Sequence, residues 1–229
     1  TCALPIYVAS VMRSSINNVN PPRLVFADPN EGERWLAAMS SRLARYVPDA
    51  AERRRLLVNI QYESSRAGLN TQVILGLIEV ESAFRQYAIS GVGARGLMQL
   101  MPATAAQMAT VAGAPFDLAR LGQDPAYNAR LGTEYLRQML ARYRGSYILA
   151  TAAYNAGPGR VDSWLVQNGD PRPGAAAGGV DPVDWIEAIP FSETRNYVMR
   201  VMEALHVYRI RLDGAASPAR LSADLTRTG

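Results

Sequence analysis

Few side chains in this sequence can do acid–base or nucleophilic chemistry. The 229-residue chain has one histidine (His206), one cysteine (Cys2) and 24 basic residues, all of them arginine. Without lysine, Schiff-base chemistry, Ser-Lys dyads and the Walker A phosphate loop are excluded. One cysteine and one histidine are too few for the usual zinc sites, and no stretch matches a calcium loop. Sites of these two kinds are therefore excluded, and proton chemistry falls to the 20 carboxylates.

Glu81 is the carboxylate whose surroundings favour chemistry. The pattern over Thr71–Gln86 predicts a helix in which Glu81 shares an apolar face with Leu77 and Ile78. Because an ionised carboxylate is costly on such a face, its pKa should rise, as a general acid requires. Glu79 lies about 200° away around the helix and is predicted to face the opposite side. The alternative role for Glu81 is a structural ion pair with an arginine at the edge of the core.

The elements that would position Glu81 are predicted to be helices. Apolar residues recur at helical spacing along most of the chain, and Asp49 followed by Glu52 is a capping box that starts one helix. Proline at a first helical position, as in Asp124-Pro125, starts another. We predict an all-α fold with at most a small β element near residues 90–100. The predicted units are an N-terminal appendage or helical extension (residues 1–48), a folded domain (49–213) and a C-terminal tail (214–229).

The charge and the apolar stretches give weaker indications of the binding partners and of any membrane segment. A formal charge of +4 and a pI near 9.4 suit an anionic partner, and they suit a mildly basic surface without one equally well. Arg53-Arg54-Arg55 is too short for a nucleic-acid patch, so no nucleic acid is predicted as a partner. The uncharged stretch over residues 1–12 falls short of the roughly 20 apolar residues that span a bilayer, so no transmembrane segment is predicted.

Four further motifs follow Glu81-Ser82 in the chain. They are Ser90-Gly91-Val92-Gly93-Ala94, Gly96-Leu97-Met98-Gln99-Leu100-Met101-Pro102, Ala153-Tyr154-Asn155-Ala156-Gly157-Pro158-Gly159, and Ile189-Pro190-Phe191-Ser192-Glu193-Thr194-Arg195-Asn196-Tyr197-Val198. In this order the motifs resemble the family 1 soluble-type lytic transglycosylases, whose catalytic domain is related to goose-type lysozyme. The resemblance covers roughly Ala51 to Arg211. It implies a lysozyme-like multi-helix fold and makes residues 49–213 the catalytic domain.

The resemblance also implies a set of site residues. Glu81 matches the family's single catalytic acid, and Ser90 matches a serine thought to hydrogen-bond the N-acetyl group of the sugar. The remaining matches are expected to line the substrate cleft: Met98, Gln99, Met101, Tyr154, Asn155, Glu187 and Glu193. Each has a plainer alternative when taken alone, since methionines and a tyrosine on such helices commonly lie in the core. Glu193 can also act as a first-turn acid of the last helix.

The resemblance implies cleavage of peptidoglycan glycan strands without water, and it implies no metal and no cofactor. Glu81 would protonate the bond between N-acetylmuramic acid and N-acetylglucosamine, and then act as a base toward the muramic 6-hydroxyl, giving 1,6-anhydromuramic ends. A basic cleft would suit the anionic lactyl and peptide groups of this glycan. A hydrolytic lysozyme or a non-catalytic wall-binding or assembly module on the same scaffold stays open. The resemblance implies an extracytoplasmic, periplasmic location, and it leaves open outer-membrane association through Cys2 and partners in the cell wall or secretion machinery.

Overall fold

The computed structural model describes residues 22–175 and 179–213. Within these ranges the chain forms ten α-helices and no extended strand. The helices are α1 (Pro29–Leu43), α2 (Ala50–Arg66), α3 (Thr71–Ser82), α4 (Pro102–Val111), α5 (Leu118–Gln123), α6 (Pro125–Arg142), α7 (Tyr147–Ala156), α8 (Pro158–Asn168), α9 (Pro182–Glu187) and α10 (Ser192–Asp213). The prediction of an all-α fold is confirmed. Cys2, the first 21 residues of the N-terminal segment and the tail (214–229) lie outside the described residues.

The helix starts follow from short polar side chains that accept hydrogen bonds from free backbone N–H groups. Asp49 Oδ1 accepts from the N–H of Glu52 at 2.6 Å, so the predicted cap of α2 is confirmed. Asp124 caps α6 in the same way, and Pro125 occupies its first turn. Pro158 follows α7 after one glycine and begins α8, because proline fits the first helical turn. The prediction missed α5 and α9, which have six residues each.

α3 is buried around most of its circumference. Every residue from Thr71 to Ile78 is buried, and the helix packs mainly against α10. Gly76 lets the two backbones approach closely, because a Cβ added there would lie 3.1 Å from the backbone nitrogen of Leu205. α1, which falls in the predicted N-terminal extension, places Met39 and Leu43 in the same core with no exposed surface. None of the helices in the described ranges is long and apolar enough to cross a membrane.

α3 ends four residues earlier than the predicted helix. Ala83 and Phe84 both adopt left-handed backbone conformations, with φ of 50° and 61°. Such conformations cost non-glycine residues about 1–2 kcal/mol each, so surrounding contacts must hold the turn in place. The Phe84 side chain is 2% exposed, and its ring centroid lies 5.4 Å from that of Tyr46. Burial of Phe84 therefore holds the left-handed turn that ends α3 at Ser82.

The segment after this turn contains the small β element. Isolated antiparallel bridges join Ile89 to Arg95 and Arg95 to Leu100, which confirms the prediction for this region. Asn128 on α6 holds this segment through its side-chain amide. Its Oδ1 accepts from the N–H of Met98 at 2.9 Å, and its Nδ2 donates to the carbonyls of Arg95 and Leu121. Residues 95–98 are thus attached to the helical core by a buried amide side chain.

Candidate active site

Glu81 lies in the last turn of α3, partly buried and partly open to a cavity. Burial raises the pKa of Glu81 from 4.5 to about 7, because the ionised form loses its hydration. The Tyr197 hydroxyl on α10 donates a hydrogen bond to Glu81 Oε1 at 2.6 Å, which lowers the pKa and limits the rise. The negative charge of Glu193 raises it further. Glu81 therefore has the raised pKa predicted from the sequence.

Glu79 has a different environment on the same helix. Its Oε1 accepts from Arg42 at 2.8 Å and from Tyr46 at 2.7 Å, and its Oε2 accepts from Tyr208 at 2.6 Å. Arg45 adds an ion pair at 3.1 Å. The Glu79 side chain is only 14% exposed, so it does not face solvent. All of these contacts are with other side chains of the protein, so the role of Glu79 is structural. The plainer alternative considered for Glu81, an ion pair with arginine, is thus the role of Glu79.

A cavity of about 410 Å³ opens beside Glu81. It is lined by six of the residues that the sequence predicts for the cleft, namely Ser90, Gln99, Met101, Tyr154, Asn155 and Glu193. These residues come from the β-bridge segment, the start of α4, the end of α7 and the start of α10. The structure therefore brings together side chains that are more than 100 residues apart in the sequence.

The local hydrogen bonds show which atoms remain for a ligand. Ser90 Oγ accepts from the N–H of Ala94 at 3.0 Å, which leaves its hydroxyl proton available for donation. Gln99 has φ of 44°, and its Nε2 donates to backbone carbonyls at 3.2 and 2.8 Å, so its Oε1 is left to accept. Asn155 Oδ1 accepts from the Thr194 hydroxyl at 2.7 Å, which leaves the Nδ2 donors. The cavity thus offers donors and acceptors suited to hydroxyl and amide groups.

Two of the predicted cleft residues lie elsewhere. Met98 has no exposed surface and packs against Gly132, where an added Cβ would lie 2.4 Å from the methionine sulfur. Its predicted contact with substrate is wrong, because its side chain fills the core. Glu187 ends α9 and lines a separate groove of about 290 Å³ beside His206. Its predicted place in the cleft is wrong as well, since Glu187 lines that groove with Met199 and Met202 of α10 and does not line the cavity beside Glu81.

The expected basic cleft is also wrong for this cavity. Its lining residues include Glu81 and Glu193 but no arginine. Many of the arginines are instead used in ion pairs on the outside of the helices, as in Arg137 with Glu134 and Arg142 with Asp162. The acidic lining helps keep a proton on Glu81.

The sequence analysis missed two tyrosines of the site. Tyr197 lies in the last of the four motifs and was given no role in the site, yet its hydroxyl contacts Glu81. Tyr135 lines the cavity from α6, and its ring centroid lies 5.0 Å from that of Tyr154. Burial raises the pKa of Tyr154 and of Tyr197 well above the ordinary value, so both phenols stay protonated. The Tyr154 hydroxyl donates a hydrogen bond to the backbone carbonyl of Met98 at 2.9 Å. The signal that could have identified Tyr197 was a tyrosine among apolar residues at helical spacing.

The helical architecture is that of known transglycosylase structures. The chain aligns with the 70 kDa soluble lytic transglycosylase of Escherichia coli at a TM-score of 0.64 and 28% identity, covering 86% of this chain and 32% of that one. It aligns with an inactive mutant of the lytic transglycosylase Slt from Pseudomonas aeruginosa at a TM-score of 0.60 and 29% identity, covering 91% and 41%. The fold is therefore the lysozyme-like all-α fold of soluble lytic transglycosylases.

The sequence comparison gives the family. The family model of the Transglycosylase SLT domain matches residues 58–174, and the chain belongs to this family. The soluble lytic murein transglycosylase of Salmonella typhimurium is 42% identical over 137 residues, which are 59% of this chain and 20% of that protein. The membrane-bound lytic murein transglycosylase C of Serratia proteamaculans is 31% identical over 183 residues, or 72% and 50%. The chain thus spans about a fifth to a half of the length of these relatives.

Proposed function

We propose that this chain is the catalytic domain of a peptidoglycan lytic transglycosylase that cleaves the β-1,4 bond between N-acetylmuramic acid and N-acetylglucosamine. The observation that carries the proposal is Glu81, a carboxyl group with a pKa of about 7 at the wall of an open cavity. A group with this pKa can give up a proton and take one back near neutral pH. The family membership and the names of the relatives support the glycan as its substrate.

In the first step, Glu81 donates its proton to the glycosidic oxygen as the bond from that oxygen to the anomeric carbon breaks. The bonding electrons leave with the oxygen, which departs as a hydroxyl group, and positive charge develops at the anomeric carbon. The N-acetyl group of the muramic sugar stabilises this charge through its carbonyl oxygen. Ser90 would hydrogen-bond that N-acetyl group, and its uncommitted hydroxyl proton supports this role.

In the second step, the muramic 6-hydroxyl oxygen attacks the anomeric carbon and its proton passes to the ionised Glu81. The products are a 1,6-anhydromuramic end and a free 4-hydroxyl on the neighbouring sugar, and no water is consumed. Glu81 returns to its protonated state. A single carboxyl group thus acts in turn as acid and base, and the reaction needs neither a lysine nor a histidine.

Tyr197 and Glu193 adjust the two states of Glu81 in opposite directions. The Tyr197 hydroxyl stabilises the carboxylate that exists between the two steps. The charge of Glu193 instead favours the protonated form that begins the reaction. Gln99, Met101, Tyr154 and Asn155 would contact the saccharide along the cavity. Tyr154 would do so through its ring, because its hydroxyl is engaged by a backbone carbonyl.

The test is mass spectrometry of purified glycan strands after digestion with the protein. Anhydro ends, lighter than reducing ends by one water molecule, are expected from the wild type. Glu81→Gln should bind the same strands without cleaving them. Reducing ends would instead identify a hydrolase. One observation favours this second candidate: Glu193 is another carboxylate on the same cavity and could activate water. If the wild type binds strands without turnover, the domain is a wall-binding module.

We propose that the protein acts outside the cytoplasm, in the periplasm, because its proposed substrate is the cell-wall glycan and its relatives are soluble and membrane-bound murein transglycosylases. Residues 29–43 would be an extension of the catalytic domain rather than a separate unit, because α1 buries Trp35, Met39 and Leu43 in the common core. The groove beside His206 lies apart from the active site and belongs to no step of the proposed reaction.

A further inference from the structure

A second cavity, of about 340 Å³, adjoins the first one at Glu81. Glu81, Ser90 and Gln99 line both cavities, whereas Arg85, Ala88 and Ile89 line only the second. A ligand whose reacting bond lies at Glu81 would therefore extend into two chemically different spaces. The larger space holds the proposed sugar contacts of Tyr154 and Asn155.

Charge separates the two spaces. Among the described residues that line them, Arg85 is the sole cation, and the larger cavity contains the carboxylate of Glu193. An anionic substituent would be repelled on the Glu193 side and attracted on the Arg85 side. One of the many arginines in the sequence, Arg85, thus lines the cleft in the same small cavity as Glu81.

Arg85 is held by the end of α3. Its backbone N–H and its Nε both donate to the carbonyl of Ser82, each at 3.0 Å. The two left-handed residues before it, Ala83 and Phe84, turn the chain so that Arg85 follows the acid directly. Within the described residues the guanidinium has no carboxylate partner, so its terminal nitrogens remain available. A guanidinium group binds a carboxylate through two parallel hydrogen bonds.

We propose that Arg85 binds a carboxylate of the muramyl side of the substrate in the smaller cavity, and so fixes which way the glycan lies across Glu81. This inference rests on the proposed function. The carboxylate belongs either to the lactyl group, where it is free of peptide, or to the stem peptide attached there. Arg85 would act as a binding residue that selects and orients muramyl glycans over glycans without carboxylates.

Binding is measured in a Glu81→Gln background, so that turnover does not remove the ligand. Three ligands of matched length are compared by calorimetry: an N-acetylglucosamine oligomer without carboxylates, a muramyl glycan stripped of peptide, and one that carries stem peptides. Arg85→Gln is expected to weaken binding of a carboxylate-bearing ligand by about 5- to 30-fold and to leave the oligomer without carboxylates unaffected. Loss with the stripped glycan identifies the lactyl carboxylate, and loss only with the third ligand identifies the peptide.

Two further variants sharpen the test. Arg85→Lys should retain part of the affinity, because it keeps the charge but not the paired hydrogen bonds. Arg55→Gln removes the same charge from an exposed position of α2 that lines neither cavity, and it should leave all three affinities unchanged. Equal losses with all three ligands, or no loss with any, overturn the role of Arg85. If none of the ligands binds in the Glu81→Gln background, the proposed function itself fails.

Discussion

Glu81→Gln should make the folded protein more stable at neutral pH while it removes activity. In an unfolded chain this carboxyl group would ionise near its ordinary pKa of 4.5, whereas in the folded chain it holds its proton up to about pH 7. Between these values the unfolded state releases a proton that the folded state keeps, and the free energy of unfolding falls as the pH rises. At 1.36 kcal/mol per pKa unit, the loss reaches about 3 kcal/mol above pH 7. Glutamine has a similar shape and never ionises, so it avoids this loss.

The size of the stability difference depends on pH in a way that other causes would not reproduce. Below pH 4.5 both forms of the wild-type chain are protonated, and the variant and the wild type should have nearly equal stabilities. The difference should grow from pH 4.5 to pH 7 and stay constant above it. Chemical denaturation of both proteins at pH 4, 6 and 8 measures it directly. A difference that is the same at all three values would refute the assignment of a buried, proton-holding carboxyl group to Glu81.

Glu79→Gln is the matched control, since it makes the same change two residues earlier on α3. Glu79 accepts hydrogen bonds from Arg42, Arg45 and two tyrosine hydroxyls, and the Arg42 side chain is 15% exposed. Removal of the charge leaves a largely buried guanidinium without its partner, which costs about 3 kcal/mol. One helix should therefore give opposite stability changes for two identical substitutions.

Three further predictions concern the pH dependence of activity and the stability of the protein. Tyr197→Phe removes the hydrogen bond that stabilises ionised Glu81, so the fall of activity on the alkaline side of the pH–rate profile should move to higher pH. Glu193→Gln removes a charge that raises the same pKa, and the fall should move to lower pH; shifts of one sign in both variants would contradict the proposed electrostatics. Asn128→Ala removes two hydrogen bonds to the β-bridge segment and one to the carbonyl of Leu121, and it should lower the free energy of unfolding by about 3 kcal/mol in denaturant titrations; an unchanged midpoint would show that the segment is held in another way.

The long helices could be predicted because their apolar spacing and their caps agree. Asp49 and Asp124-Pro125 mark starts that the structure places at the same residues. The short helices α5 and α9 could not be predicted, because six residues contain too few turns for a period to appear. The true end of α3 was missed for a different reason. The left-handed turn at Ala83 and Phe84 is imposed by tertiary burial of the Phe84 ring, which no local pattern reports.

The site was predictable as far as one-dimensional information reaches. Glu81 could be identified from its helical face, and the resemblance to known motifs gave six residues that do line the cavity. Met98 and Glu187 were misplaced because a motif gives the position of a residue in the chain and not the direction of its side chain. Tyr197 escaped notice because a buried tyrosine in an apolar stripe is most often a core residue. Only the packing of α10 on α3 shows that its hydroxyl contacts the acid.

The separation of 116 residues between Glu81 and Tyr197 has a consequence for biosynthesis. A ribosome that adds about 5 to 20 residues per second needs roughly 6 to 23 s to reach Tyr197 after it has added Glu81. Throughout that interval α3 lacks the helix that covers it, and the Glu81 carboxyl stays hydrated with its ordinary acidity. The raised pKa of Glu81 requires this contact surface, so a nascent chain cannot have its proton donor before α10 has been synthesised.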